Sequence, residues 1–202
     1  MFSCCCAKVD FSWTPVCGCA SASADESLSK TCQTKCLKEA SLEKHNYFFG
    51  GTEVFEYLKE LYPNARFWFT GHSLGGAIAS LVALTDKTTS AITFASPGDK
   101  LYAERVGLDP NNNLNIWHFG VETDPIFRGK CNGVKSSCYI GGYAMETACH
   151  TGNVCTYAKE GRMDILKHRM GYLIDNVITK EKNVPKCAPE FNCEDCKHWT
   201  FE

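Results

Sequence analysis

The chain has 202 residues, 44% hydrophobic and 22% charged, with a formal net charge of -2. That is enough for one domain with an apolar core, and the near-neutral balance argues against an electrostatic nucleic-acid binder. No apolar run reaches the roughly 20 residues that cross a bilayer as a helix, and Met1-Phe2-Ser3-Cys4-Cys5-Cys6 lacks the basic and apolar regions of a signal peptide.

Residues 1–48 are cysteine-rich and irregular, with Ser, Ala, Asp and Glu turn signals over 19–29 and a charged stretch, 31–44, that predicts a short helix. Val54, Phe55, Leu58, Leu61 and Tyr62 share one helical face over 52–62, and Pro63-Asn64 ends that helix. Arg66-Phe67-Trp68-Phe69-Thr70 is aromatic and branched, as a strand should be. After Gly71-His72-Ser73-Leu74-Gly75, residues 76–84 are small and apolar and predict a buried helix. Ala91-Ile92-Thr93-Phe94-Ala95 is the next strand, closed by Ser96-Pro97-Gly98. Beyond the loop Asn111-Asn112-Asn113, residues 114–121 alternate with period two and read as a third strand. A long loop with paired cysteines covers roughly 125–160, and Met170, Leu173, Ile174, Val177 and Ile178 mark a last amphipathic helix. The tail, 184–202, is aromatic and contains cysteine; there is no internal repeat.

Fourteen cysteines point to an oxidising compartment. Seven precede Gly71 and seven follow Gly75, so full oxidation within one chain requires at least one bridge between the two halves. Cys131/Cys138 and Cys149/Cys155 flank short polar loops and are the expected local pairs. Zinc is the alternative, because Cys193-Glu194-Asp195-Cys196 has ligand-like spacing with Cys187 nearby, but no second C-x-x-C completes a four-ligand site. An oxidised chain with no visible signal peptide is expected to be part of a longer protein.

Gly71-His72-Ser73-Leu74-Gly75 is a G-x-S-x-G pattern between a strand and an apolar helix, the context of a nucleophile elbow. The serine has to sit on a strained strand-to-helix turn, and glycines on either side are expected to avoid clashes. A serine hydroxyl needs a histidine to take its proton and a carboxylate to orient that histidine, in the chain order Ser, acid, His. Asp124 follows the 114–121 strand and precedes Pro125, which fixes its turn; Asp99 after the 91–95 strand is second choice and Glu122 third. Of the six histidines, His45 and His72 precede Ser73, and His118 lies inside a strand. His72 is then the variable residue of the motif. His168, just before the last helix, is the first choice of base, followed by His150 and His198. The backbone N–H of Leu74 is the expected oxyanion donor. Phe48-Phe49-Gly50-Gly51-Thr52 lies too close to the elbow, and leads into a helix, to supply a second. No cofactor or metal is expected.

The expected fold is α/β, an α/β-hydrolase-like sheet flanked by helices, incomplete at its N-terminal side and carrying cysteine-rich loops. It forms a single domain, 1–202, with a cysteine-rich segment 1–48, a catalytic core 49–183 and a cysteine-containing tail 184–202.

The run from Phe67 to Ala77 resembles the elbow of class 3 lipases. Much of the remainder resembles one branch, the autophagy-related vacuolar lipases of fungi and their relatives. The resembling stretches include Phe2 to Cys6 with Trp13, Phe94 to Leu101, Thr123-Asp124-Pro125-Ile126, and Cys131 to Cys138. Gly141 to Glu146, Cys149-His150, Asp164-Ile165 with His168-Arg169-Met170, and Cys193 to Cys196 complete them. The resemblance implies a Ser73/Asp124/His168 triad. It also implies lipase or phospholipase activity on phospholipid or glyceride esters at membranes of autophagic and multivesicular bodies, in the lumen of the vacuole or lysosome. Relatives of this kind begin with a membrane anchor and a sheet-forming segment.

Overall fold

A computed structural model of the chain describes residues 1–10, 12–21, 30–43 and 46–202. The turn signals over 22–29, the helix end at Lys44, and His45 lie outside the described residues. Two short strands open the chain, β1 (Ala20–Ser21) and β2 (Lys30–Cys32), followed by α1 (Thr34–Ser41) and α2 (Tyr47–Leu61). The alternating part is β3 (Trp68–His72), α3 (Leu74–Leu84), β4 (Ser90–Phe94), α4 (Lys100–Arg105) and β5 (Ile116–Val121). Then come α5 (Ser137–Ile140), β6 (Asn153–Tyr157), α6 (Met170–Leu173), β7 (Cys187–Pro189) and β8 (Trp199–Phe201). The larger sheet has the order β3-β4-β5-β6-β7, parallel up to β6 and antiparallel at β7, so β3 is an edge strand among the described residues. A smaller sheet joins β1, β2 and β8. No described helix is long and apolar enough to cross a membrane.

The α/β expectation matches this mixed sheet with flanking helices. Helix α3 is apolar nearly all round and is accordingly buried along most of its length, between the sheet and α2. Phe48, Phe55, Leu81, Leu84, Tyr102 and Ile116 form the core around it. Burying each such side chain is worth roughly 1.5–3 kcal/mol relative to leaving it exposed. Close packing depends on Gly51 of α2, where a Cβ would come within 3.0 Å of Val82 and 3.2 Å of Ile78.

Several boundaries differ from expectation. Helix α2 starts five residues before 52, because the Asn46 side chain accepts from the N–H of Phe48 and caps it. Its buried face is Phe48 and Phe55, whereas Val54, Leu61 and Tyr62 are exposed. The 31–44 helix is shortened to α1 because residues 30–32 pair with β1 and β8 instead. Strand β3 runs through Gly71 and His72, placing Ser73 immediately after it. The 125–160 loop contains a strand, β6, which five residues between turns did not reveal. The last helix switches after Leu173 into a π-helical turn, Ile174–Ile178. Only Leu173 and Val177 of its apolar stripe are buried.

All fourteen cysteines are paired. Cys4–Cys196 is the bridge between halves that the odd counts require. Cys5–Cys32, Cys6–Cys17 and Cys19–Cys36 staple the N-terminal segment. Cys131–Cys138 closes its short loop as expected. Cys149–Cys155 does not form. Cys155 is a β6 residue in register with Cys187 of β7 and pairs with it across the sheet, and Cys149 pairs with Cys193. The C-x-x-C pair Cys193 and Cys196 is therefore spent on two different disulfides. Arg105 adds to this junction, donating to the carbonyls of Ser3 at 2.8 Å and Cys4 at 2.6 Å. Burial pulls its guanidinium down to about 10.

Candidate active site

Ser73 lies between β3 and α3 with φ 57° and ψ −130°, a left-handed conformation that a non-glycine residue adopts only when its surroundings impose it. The glycines around it are not equivalent. A Cβ on Gly71 would run into the main chain of Gly75, and one on Gly76 would lie 2.9 Å from the Gly71 carbonyl oxygen. A Cβ on Gly75 would meet nothing within 4 Å, so the expected clash at that position is absent and the crowding falls on Gly71 and Gly76. The turn is anchored by the Ser73 N–H, which donates to the Phe94 carbonyl at the end of β4 at 3.0 Å.

Asp124 lies in the turn after β5 and is fully buried. One carboxylate oxygen accepts from the Ile126 N–H at 2.9 Å, which fixes its orientation. The other lies 2.9 Å from Nδ1 of His168. His168 is the last residue of a 3₁₀ turn, Ile165–His168, capped at its start by Asp164, whose side chain accepts from the Leu166 N–H. Nε2 of His168 lies 2.8 Å from Ser73 Oγ. A carboxylate only accepts, so in the neutral imidazole Nδ1 carries the proton and Nε2 is left as the acceptor facing the serine hydroxyl.

The structure thus brings Ser73, His168 and Asp124 into one chain of contacts and leaves the alternatives elsewhere. Asp99 is buried and accepts from Ser80 Oγ, the Thr151 N–H and Thr151 Oγ1 at 2.6–2.8 Å. Glu122 is exposed, and so is His198. His150 is buried against Phe127 and His118, with Nε2 3.0 Å from the Ser96 carbonyl and Nδ1 3.8 Å from Glu190. Burial opposes a charge on His150, but Glu190, Asp99 and the Ser96 carbonyl together outweigh it and raise its pKa. His118 of β5 bonds across the sheet, to Thr93 of β4 and to Ser96. Phe48-Phe49-Gly50-Gly51-Thr52 lies within α2.

His72 has a contact that the motif did not disclose, since the second residue of G-x-S-x-G is unconstrained by the pattern. Its Nε2 lies 2.7 Å from the carbonyl oxygen of His168. Burial is the main cause that holds its pKa below the ordinary value.

Leu74 begins α3, so its N–H has no acceptor within the helix and is free to point into the site. A cavity of about 910 Å³ opens beside Ser73, Leu74 and His168. Its lining is largely apolar and includes Phe2, Ile126, Ala144 and Met145. Val16, Tyr47 and Tyr143 line it while also being exposed, and exposed Ile140 and Leu166 lie close by in sequence to Tyr143 and His168.

A parallel sheet feeding a serine on a strained strand-to-helix turn, with an imidazole and a carboxylate in series, is the arrangement of an α/β-hydrolase. The family model for Lipase (class 3) matches residues 22–128, and the chain belongs to that family. A relative from Candida glabrata, named "Putative lipase ATG15", is 42% identical over 210 residues, covering 100% of this chain and 40% of the relative. One of the same name from Eremothecium gossypii is 41% identical over 210 residues, covering 100% of this chain and 37% of its own length. The chain spans about 40% of the length of these curated relatives. Among solved structures, lipase II from Rhizopus niveus is similar with a TM-score of 0.33 and 20% identity, covering 61% of this chain and 56% of that one.

Proposed function

We propose that the chain carries the catalytic groups of a serine lipase or phospholipase acting on carboxylic esters of membrane phospholipids or acylglycerols. The reading rests on one arrangement, the His168 imidazole held between Ser73 Oγ and the Asp124 carboxylate. In the proposed reaction Ser73 attacks the ester carbonyl while Nε2 of His168 takes its proton, and Asp124 stabilises the imidazolium that forms. The Leu74 N–H, at the positive end of α3, donates to the tetrahedral oxyanion. His168 then protonates the leaving alcohol, and water releases the acyl group by the same steps in reverse order. The apolar cavity suits an acyl chain, and the exposed apolar side chains beside it suit a membrane or lipid-droplet surface.

The setting follows from kinship and cysteine usage. Seven disulfides suit an oxidising lumen, and the name ATG15 carried by the relatives suggests autophagy. We place the activity in lysis of autophagic and multivesicular body membranes inside the vacuole. A second reading is a relative that only binds membrane or a partner. It is favoured by β3 being an edge strand, which leaves one side of the nucleophile strand without a described neighbour.

Labelling with a fluorophosphonate separates the two. The wild type is expected to be modified at Ser73 alone, and Ser73→Ala is expected to lose both labelling and hydrolysis of phospholipid vesicles and triacylglycerol emulsions. Vesicle binding without labelling would leave the binding reading in possession, and labelling at another residue would overturn the assignment of Ser73.

A further inference from the structure

His72 and Ser73 are consecutive, and both contact the same partner. Ser73 Oγ meets the side chain of His168 at 2.8 Å, and His72 Nε2 meets the main-chain carbonyl of His168 at 2.7 Å. These two bonds close a ring that fixes the imidazole of His168 at one end and its backbone at the other. The carbonyl ends the 3₁₀ turn Ile165–His168, where a helical turn leaves carbonyls without internal partners. Apart from the short turn around it, the backbone of 160–169 is irregular, and its side chains are mostly exposed. The start of the turn is tied by the Asp164 N–H, which donates to the Thr123 carbonyl at 3.1 Å, and the imidazole is held at Nδ1 by Asp124, whereas the His168 carbonyl at the end of the turn is held by His72.

A carbonyl oxygen only accepts, so Nε2 of His72 must carry the proton, and neutral His72 is the Nε2–H tautomer. The two imidazoles lie 4.8 Å apart between ring centres. A cation on His72 would oppose the imidazolium that His168 becomes during reaction, so the neutral form suits the position. We propose that His72 is a positioning residue: its neutral side chain clamps the main chain of His168 so that the base stays in reach of Ser73. This inference rests on the Ser73–His168 reading given above.

The test uses the chain as it stands, with His72→Leu to remove the donor and His72→Gln to restore an N–H donor. The maximal rate of fluorophosphonate labelling at Ser73 is expected to fall roughly 10- to 100-fold in His72→Leu with little change in probe affinity, as a small misplacement of a reacting group does. His72→Gln is expected to recover most of that rate. A His72→Leu rate within twofold of wild type, or a His72→Gln no better than His72→Leu, overturns the proposal. If His72→Leu does not fold, the comparison of His72→Gln with wild type stands, and a loss there as large as 100-fold counts against a role met by a simple donor. ¹⁵N-histidine NMR of the wild type gives a readout that needs no activity. It is expected to show His72 as the neutral Nε2–H tautomer, and a neutral Nδ1–H tautomer overturns the clamp even if nothing is labelled. Labelling that survives Ser73→Ala would instead overturn the reading of the site, leaving the NMR result to decide His72.

Discussion

Residues 37–130 contain no cysteine, while the stretches on either side contain all fourteen. The cysteine-free part holds the long helices α2 and α3, strands β3 to β5 and the core of Phe55, Leu81, Leu84, Tyr102 and Ile116. The flanking parts hold short elements, with β6 the longest strand at five residues and the other strands at two or three. Buried Cys4, Cys5, Cys6, Cys19, Cys32 and Cys196 form their own cluster with Leu37 and Trp199. The difference shows two ways to hold a chain. Where elements are long enough to bury large side chains, packing offsets the entropy of ordering. Where they are too short, cross-links lower the entropy of the unfolded chain instead. The candidate site straddles the two. Ser73 and Asp124 come from the packed part, and His168 lies between Cys155 and Cys187 in the cross-linked part.

The largest expected effects ignore this boundary, because the proposed chemistry needs both sides. His168→Ala should cost on the order of 10⁶ in kcat, as loss of a nucleophile or its base does, and Asp124→Asn about 10⁴ by favouring the wrong imidazole tautomer. Steady-state kinetics on a soluble ester measures both. Equal, modest losses from the two would break the assignment of base and acid.

The next effect follows the boundary. Cys155–Cys187 closes a segment with a sequence separation of 32 that carries His168. Its removal in Cys155→Ala/Cys187→Ala should cost roughly 2–3 kcal/mol on the chain-entropy account, less than for an isolated loop because Cys149–Cys193 still encloses the segment, and should leave 156–186 the first part to loosen. Ser73 sits in the packed part and should keep its place. Thermal loss of fluorophosphonate labelling should therefore precede the far-UV unfolding transition in the variant and coincide with it in the wild type. Coincident transitions in both would mean that the two parts unfold as one unit.

What could be read from the sequence divides along the same line. The elbow was legible because its requirements are local: a left-handed serine, no side chain at Gly71, and an apolar helix to follow. Asp124 was legible because it follows an alternating strand and Pro125 fixes its turn, which favours it over Asp99 and Glu122. The β6–β7 pairing was not, since an antiparallel contact between residues some 32 apart leaves no periodic mark in strands of five and three residues. The Cys149/Cys155 expectation fails for that reason: proximity in sequence is not proximity in space. His72 carries no such signal, because chain order excludes it as the base and says nothing about a bond to that base's backbone.

The smallest expected effect is a pH dependence seated where the packed part meets the cross-linked part. His118 of β5 is fully buried, with Nδ1 2.9 Å from Thr93 Oγ1 and 3.0 Å from Ser96 Oγ. Its ring lies 4.8 Å from that of His150, which belongs to the cross-linked part. Burial lowers the His118 pKa from 6.5 to about 4, whereas His150 is raised. The two therefore act in opposite directions. Below pH 6.5 the unfolded chain takes a proton at His118 that the folded protein refuses until about pH 4, so its contribution is full above 6.5 and is lost as pH falls through that window. His150 contributes most below 6.5 and loses that contribution as pH rises through its raised folded value. Thermal unfolding between pH 7 and pH 4 checks this. His118→Asn should make the fall in Tm on acidification shallower by a few degrees, and His150→Asn should make it steeper. Shifts of the same sign in both variants would mean that the pair titrates as one group, and that the boundary between the two parts carries no separate electrostatic signature.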